Sequence, residues 1–191
     1  MNAYPRIVAM SDRNRRYKKT AGVQMELFFL RHGPAEPKDN WAGDDEERPL
    51  SAAGELLVAE VAATLARQHV APDLILTSPY RRARQTAYIV AERLGMSDRV
   101  KVDSRLMPGF GVKQLGKILH DYSDRQSLLL VGHGPDLGQV VRNLTGGRLT
   151  IRKAGVAQVE VMEPAAIKGR LLSLLVPAPI EPEDESAGEQ A

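Results

Sequence analysis

MELFFLRHG, residues 25–33, is the stretch from which the fold can be read. Met25–Leu30 is an almost unbroken apolar run with no alternation of polar and apolar side chains. That pattern marks a strand covered on both faces, as in parallel sheets, and not a half-wet antiparallel strand. It stops abruptly at Arg31-His32-Gly33, a cation and an imidazole at a strand end. The same arrangement recurs twice. Asp73–Thr77 (DLILT) runs into Ser78-Pro79, and Ser127–Val131 (SLLLV) runs into Gly132-His133-Gly134.

Between these strands lie helical patterns. Ser51 is a capping residue for a helix through about Gln68, with Leu56, Leu57, Ala59, Val61 and Leu65 at helical spacing. Pro79 is read as a first-turn residue of a second helix that reaches about Leu94 and stops at Gly95. Val100–Val102 is a short strand and Val112–Tyr122 a third helix. Pro135 and Asp136 open a fourth, which runs to about Leu144 and is closed by Gly146-Gly147. Gln158–Met162 and Arg170–Val176 read as an edge hairpin. Buried strands alternating with helices give an α/β fold: a three-layer sandwich with a mostly parallel central sheet flanked by helices. Ligands of such sheets bind beyond the carboxyl ends of the strands. Arg31-His32-Gly33, Ser78–Arg82 and His133 all fall there.

Composition narrows the class. A chain of 191 residues that is 43% apolar and 26% charged suits one domain with a full core. It has no apolar run of membrane-spanning length. Without cysteine there is no disulfide, thiolate metal site or thiol nucleophile; a reducing cytoplasm is the expected location. The net charge of +2 is uneven. Residues 1–24 carry Arg6, Arg13, Arg15, Arg16, Lys18 and Lys19 against Asp12 alone. With no apolar stretch behind it, this leader is not expected to be a secretory signal. A disordered leader is the expectation, with a nucleic-acid or acidic-membrane arm, or a true start at Met25, as alternatives. The expected division is a leader over 1–24, one domain over 25–177 and an acidic tail over 178–191.

The chemistry that suits this edge is phosphoryl transfer. It needs a nucleophile in line with phosphorus and donors around the equatorial oxygens. A neutral imidazole is a competent nucleophile near pH 7, and arginine is the best fork for a phosphoryl group. Arg31, His32, Arg82 and His133 together would form an oxyanion pocket with its own nucleophile. The arginines of Ser78–Ala87 (SPYRRARQTA) oppose the dipole of the helix they begin, and a bound anion would resolve that conflict. His69 and His120, without such partners, read as structural or surface residues.

In this order, RHG, PLSAAG (Pro49–Gly54), SPYRRARQTA and VGHGPDLG (Val131–Gly138) resemble the histidine phosphatase superfamily, over roughly Met25 to Pro177. The greatest similarity is to its small SixA-type phosphohistidine phosphatases. These share the opening of Arg31–Pro37 and the acidic approach to Pro49 seen in Asp44–Ser51. The resemblance implies a phosphoglycerate-mutase-like fold and a metal-independent, cofactor-free hydrolase. It makes His32 the phosphorylated nucleophile, Arg31 and Arg82 the phosphoryl clamps, and His133 a donor that stabilises the transition state. Gly33 and Ser78 join Arg31 and Arg82 in binding substrate. Arg82 is preferred to Arg81 and Arg84 because the family places its arginine directly before the alanine.

One departure matters. Mutase-like members carry a carboxylate where this chain has Arg105–Gly109, and Asp136 is the nearest substitute. An alkoxide leaves poorly without a proton, whereas a phosphoramidate nitrogen can leave already protonated. The reading therefore favours protein phosphohistidine, on a phosphorelay histidine domain or another phosphoprotein. A small phosphorylated metabolite, with a phosphomonoesterase or mutase-like activity, is the alternative, and a non-catalytic binding protein on the same fold comes third. No membrane or nucleic-acid partner is expected. The loop Pro37–Pro49, with Trp41 and the acids Asp44–Glu47, reads equally as a solvated connector or a substrate contact.

Overall fold

The computed structural model describes residues 25–163 and 166–178. The expected leader, and the expected tail beyond Ala178, lie outside them. One six-stranded sheet organises the rest. Its strands are β1 (Met25–Arg31), β2 (Leu74–Thr77), β3 (Val100–Val102), β4 (Ser127–Gly132), β5 (Val156–Glu163) and β6 (Lys168–Leu175), in the order β3-β2-β4-β1-β5-β6. The pairs β3–β2, β2–β4 and β4–β1 are parallel; β1–β5 and β5–β6 are antiparallel. The helices are α1 (Ala52–Arg67), α2 (Arg81–Leu94), α3 (Val112–Asp121) and α4 (Asp136–Thr145). This is the three-layer, phosphoglycerate-mutase-like α/β sandwich, with the hairpin added beside β1.

The unalternating strands are explained by two cores. Met25, Leu27 and Phe29 of β1, with Leu128 and Leu130 of β4, pack under α3 and α4 against Leu115, Ile118 and Val140. Phe28, Leu30, Leu129 and Val131 point the other way, under α1 and α2, against Val58, Val61, Ala87 and Val90. Each fully buried Leu or Phe contributes about 2 kcal/mol from burial, so both faces select apolar residues. Ser51 caps α1 as expected, its Oγ accepting from Gly54 N at 3.1 Å, and left-handed Gly95 and Gly146 end α2 and α4.

The start of α2 corrects the sequence reading. Pro79 precedes the helix, and extended Tyr80 is its cap residue, with Ala83 N and Arg84 N both donating to Tyr80 O. Proline's fixed φ suits a turn as well as a first helical position. Here the Ser78 hydroxyl supports a turn, accepting from Tyr80 N at 3.3 Å.

Parallel pairing brings the strand ends level. Arg31 lies opposite Gly132, and Thr77 opposite Val131. The ladder continues one residue further, His32 N donating to Gly132 O and Ser78 N to Val131 O, each at 3.0 Å. Backbone hydrogen bonds thus carry sheet geometry into the residues that leave it.

Candidate active site

Beyond these strand ends, Arg31, His32, Ser78, Arg82 and His133 converge. The His32 and His133 rings lie 5.2 Å apart between centroids. Both are buried, His32 at 8% exposure and His133 at 4%. His32 Nδ1 lies 2.7 Å from Gly33 O. A carbonyl oxygen only accepts, so Nδ1 carries the proton and Nε2 keeps its lone pair. His133 Nε2 meets Ser78 Oγ at 2.9 Å, and its ring packs edge-to-face with Tyr80, centroids 4.9 Å apart.

Two glycines set this spacing. A methyl on Gly33 would sit 2.5 Å from Val58 Cγ2 and 3.1 Å from Gly54 O, so only glycine lets the His32 turn lie against α1. A methyl on Gly134 would lie 2.6 Å from Arg31 Nε, so the guanidinium rests directly on bare backbone. Gly33 therefore acts through packing and through its amide, which donates to Thr86 Oγ1 at 3.1 Å.

The arginines are held from behind. Arg31 Nη1 donates to Ile151 O at 3.1 Å. The Arg82 guanidinium lies over Tyr80, 4.8 Å from the ring centroid. Its Nη1 donates to Asp45 O at 2.6 Å and its Nη2 to Asp45 Oδ2 at 2.9 Å. Thr86 Oγ1, one turn along α2, donates to Arg82 O at 2.7 Å. The Nε atoms of both arginines are buried and find no acceptor among the described residues. Buried donors without partners are costly unless an anion completes them.

The His32 pKa is pulled down to about 3, first by burial and then by His133, Arg82 and Arg31, against the opposing Gly33 hydrogen bond. His133 is likewise pulled down to about 4, first by burial, with Arg82 and Arg31 lowering it and Asp45 raising it. Burial also lowers Arg31 from its usual value. Near neutral pH the site thus holds two neutral imidazoles beside two guanidiniums. It can receive a dianion, and it offers that dianion an unprotonated ring nitrogen.

The acidic loop bears directly on this site. The anion expected at the start of α2 is the chain's own: Asp45 on Arg82, and Glu47 on the more exposed Arg84 at 3.4 Å. Trp41 instead folds onto its own loop, donating to Asp44 O at 3.0 Å. Asp136 Oδ2 accepts from Gly109 N at 2.7 Å, bracing the segment where the mutase-type carboxylate would fall. His69, in the turn after α1, and His120, on α3, are both exposed. Sequence reading missed Asp45, Tyr80 and Thr86 as members of the site. Thr86 had a signal, lying one helical turn after Arg82. Asp45 had none, because its contact closes 37 residues apart.

With this geometry, the chain belongs to the histidine phosphatase superfamily. The model of that superfamily's branch 1 matches residues 27–112. The particular likeness is to SixA. The phosphohistidine phosphatase SixA of Escherichia coli is 30% identical over 125 residues, covering 64% of this chain and 76% of that protein. A structure of the protein histidine phosphatase SixA complexed with tungstate superposes with a TM-score of 0.71 at 27% identity, covering 79% of this chain and 96% of that one. An uncharacterized protein of Picosynechococcus, SYNPCC7002_A2622, is 36% identical over 137 residues, covering 69% of this chain and 82% of that protein.

Proposed function

We propose that this chain hydrolyses protein phosphohistidine through a phosphohistidine intermediate on His32. The observation that carries the reading is the His32 ring, its Nδ1 proton tied to Gly33 O and its Nε2 lone pair free, beside two arginines with unpartnered buried Nε donors. Nε2 attacks phosphorus as the bond to the leaving nitrogen breaks. The electron pair goes to that nitrogen, which leaves protonated by solvent. Water then attacks phosphorus, and the Nε2–P bond breaks to give inorganic phosphate and neutral His32. Arg31, Arg82 and the His133–Ser78 pair hold the equatorial oxygens, where negative charge concentrates. Ser78 belongs to the substrate-binding set, and Gly33 supports it by letting the turn approach α1.

The same reading makes the enzyme metal-independent. The arginines supply the positive charge that a metal ion would otherwise bring to the phosphoryl oxygens. No helix among the described residues is long and apolar enough to cross a membrane; a cytoplasmic location and a phosphorelay-type partner remain part of the proposal. Leu106–Gly109 offers no carboxylate, and Asp136 is committed to Gly109. A leaving group that needs no enzymic acid is therefore favoured. One preparation should be assayed on a phosphohistidine protein, a phosphoserine peptide and a sugar phosphate, with and without EDTA. General acid catalysis is worth roughly a hundred- to ten-thousandfold, so kcat/KM should favour phosphohistidine by about that margin and survive chelation. Equal rates on all three substrates, or loss in EDTA restored by magnesium, would reject the reading.

A further inference from the structure

The acidic loop meets the phosphate clamp through one carboxylate. Arg82 is bound end-on: Nη1 donates to Asp45 O and Nη2 to Asp45 Oδ2. A guanidinium bound this way keeps its other edge, Nε with the second Nη2 proton, for a second bidentate partner. That edge is where Arg82 Nε lies buried without an acceptor. Asp45 is in turn anchored by Arg48, whose Nε and Nη2 both reach Asp45 Oδ1 at 2.8 Å while Nη1 donates to Glu36 O at 2.6 Å. The chain Glu36–Arg48–Asp45–Arg82 thus joins the loop behind the His32 turn to the first turn of α2. Tyr80 beneath the guanidinium fixes its plane, and Asp45 fixes its rotation within that plane.

We infer that Asp45 is a positioning residue of the phosphatase site, gripping the far end of Arg82 so that its Nε–Nη2 edge faces the phosphoryl oxygens. The inference rests on the proposed phosphoryl role of Arg82 and extends it to the loop. Charge alone does not account for the arrangement: Asp44 and Glu46 carry the same charge in the same loop, yet their side chains form no ion pair among the described residues. Arg82 has a side chain 6% exposed, against 42% for Asp45. The arginine is therefore the buried, fixed partner, and the carboxylate is supplied to it from outside. Asp45 also raises the proton affinity of His133 against burial and the neighbouring arginines, which favours His133 as a donor once a dianion arrives.

The test measures orthophosphate and tungstate binding by calorimetry, alongside turnover, in Asp45→Asn, Asp45→Glu, Asp44→Asn and Glu46→Gln. Loss of one charge-assisted contact predicts roughly tenfold weaker oxyanion binding in Asp45→Asn, with kcat reduced similarly. Asp45→Glu should recover part of the loss, while Asp44→Asn and Glu46→Gln stay near wild type. The His133 imidazole, followed by NMR, should become harder to protonate in Asp45→Asn. Tighter oxyanion binding in Asp45→Asn would overturn the inference, because Asp45 would then be a competitor occupying the clamp. Equal effects at positions 44, 45 and 46 would overturn it too, leaving only diffuse charge. Binding is read without turnover, so a wild type that binds phosphate yet spares phosphohistidine would refute the proposed function and not this inference.

Discussion

The two walls of the site are built on different principles. On one side, Arg31, His32 and His133 follow directly from β1 and β4, fixed by ladder hydrogen bonds and by close packing at Gly33 and Gly134. On the other, Arg82 stands on the first turn of α2 and is held by the half-exposed carboxylate of Asp45 in the acidic loop, while Glu47 pairs with Arg84. The sheet wall gains its precision from hydrogen-bonded register and packing, which salt and small movements barely affect. The loop wall gains its precision from ion pairs, which water and salt weaken. On the proposed reading, the nucleophile stands on the rigid wall and the adjustable part of the phosphate grip on the other.

The largest break in this contrast should come from Arg82→Ala. It removes a buried guanidinium from the clamp and should lower kcat/KM on the order of a hundredfold or more. Arg81→Ala and Arg84→Ala should cost far less, Arg84 having only its long contact to Glu47. Steady-state kinetics on the three variants decides the register, and a larger loss at Arg81 would shift the assignment by one residue.

The sheet wall was legible in the sequence because its information is local. An apolar run ending in Arg31-His32-Gly33 or Gly132-His133-Gly134 names both the strand and what its end presents. Helix limits were equally local where Ser51, Gly95 and Gly146 supplied caps. The start of α2 was misplaced because Pro79 satisfies a turn and a first helical position alike, and the choice depends on the Ser78 hydroxyl. On the loop wall Arg82 was legible from its motif, but the carboxylate that holds it was not. Four consecutive acids look alike in sequence, and only the folded chain selects Asp45 for Arg82 and Arg48.

A smaller break on the rigid side is Gly134→Ala. Its methyl would meet the Arg31 guanidinium at 2.6 Å, and the side chain must give way. About tenfold loss in kcat/KM is expected, the size of one displaced charge-assisted hydrogen bond, with little change in Tm. Wild-type activity in this variant would show that Arg31 has room to spare and that packing does not set its position.

A further effect falls on stability instead of activity, and it separates the walls by pH. His32 and His133 are held neutral, with pKa values pulled down to about 3 and about 4, whereas an unfolded imidazole titrates near 6.5. Between those values the unfolded chain binds more protons, so stability should be full above about pH 6.5 and decline as pH falls toward 4. Each imidazole contributes roughly 1.4 kcal/mol per pH unit at most. Urea unfolding at pH 7 and pH 5 should show the decline, and His133→Asn should flatten it. Equal slopes in wild type and variant would mean that His133 is not held neutral by its surroundings.

Whether His32 Nε2 takes the phosphoryl group is decided by trapping the intermediate. Labelled phosphohistidine protein should be mixed with the enzyme, quenched within milliseconds in alkali, and the adduct mapped by peptide sequencing. An acid-labile, alkali-stable label on His32, absent from a folded His32→Ala protein that has lost turnover, is the predicted result. Label on any other residue, or turnover that persists in His32→Ala, would contradict it.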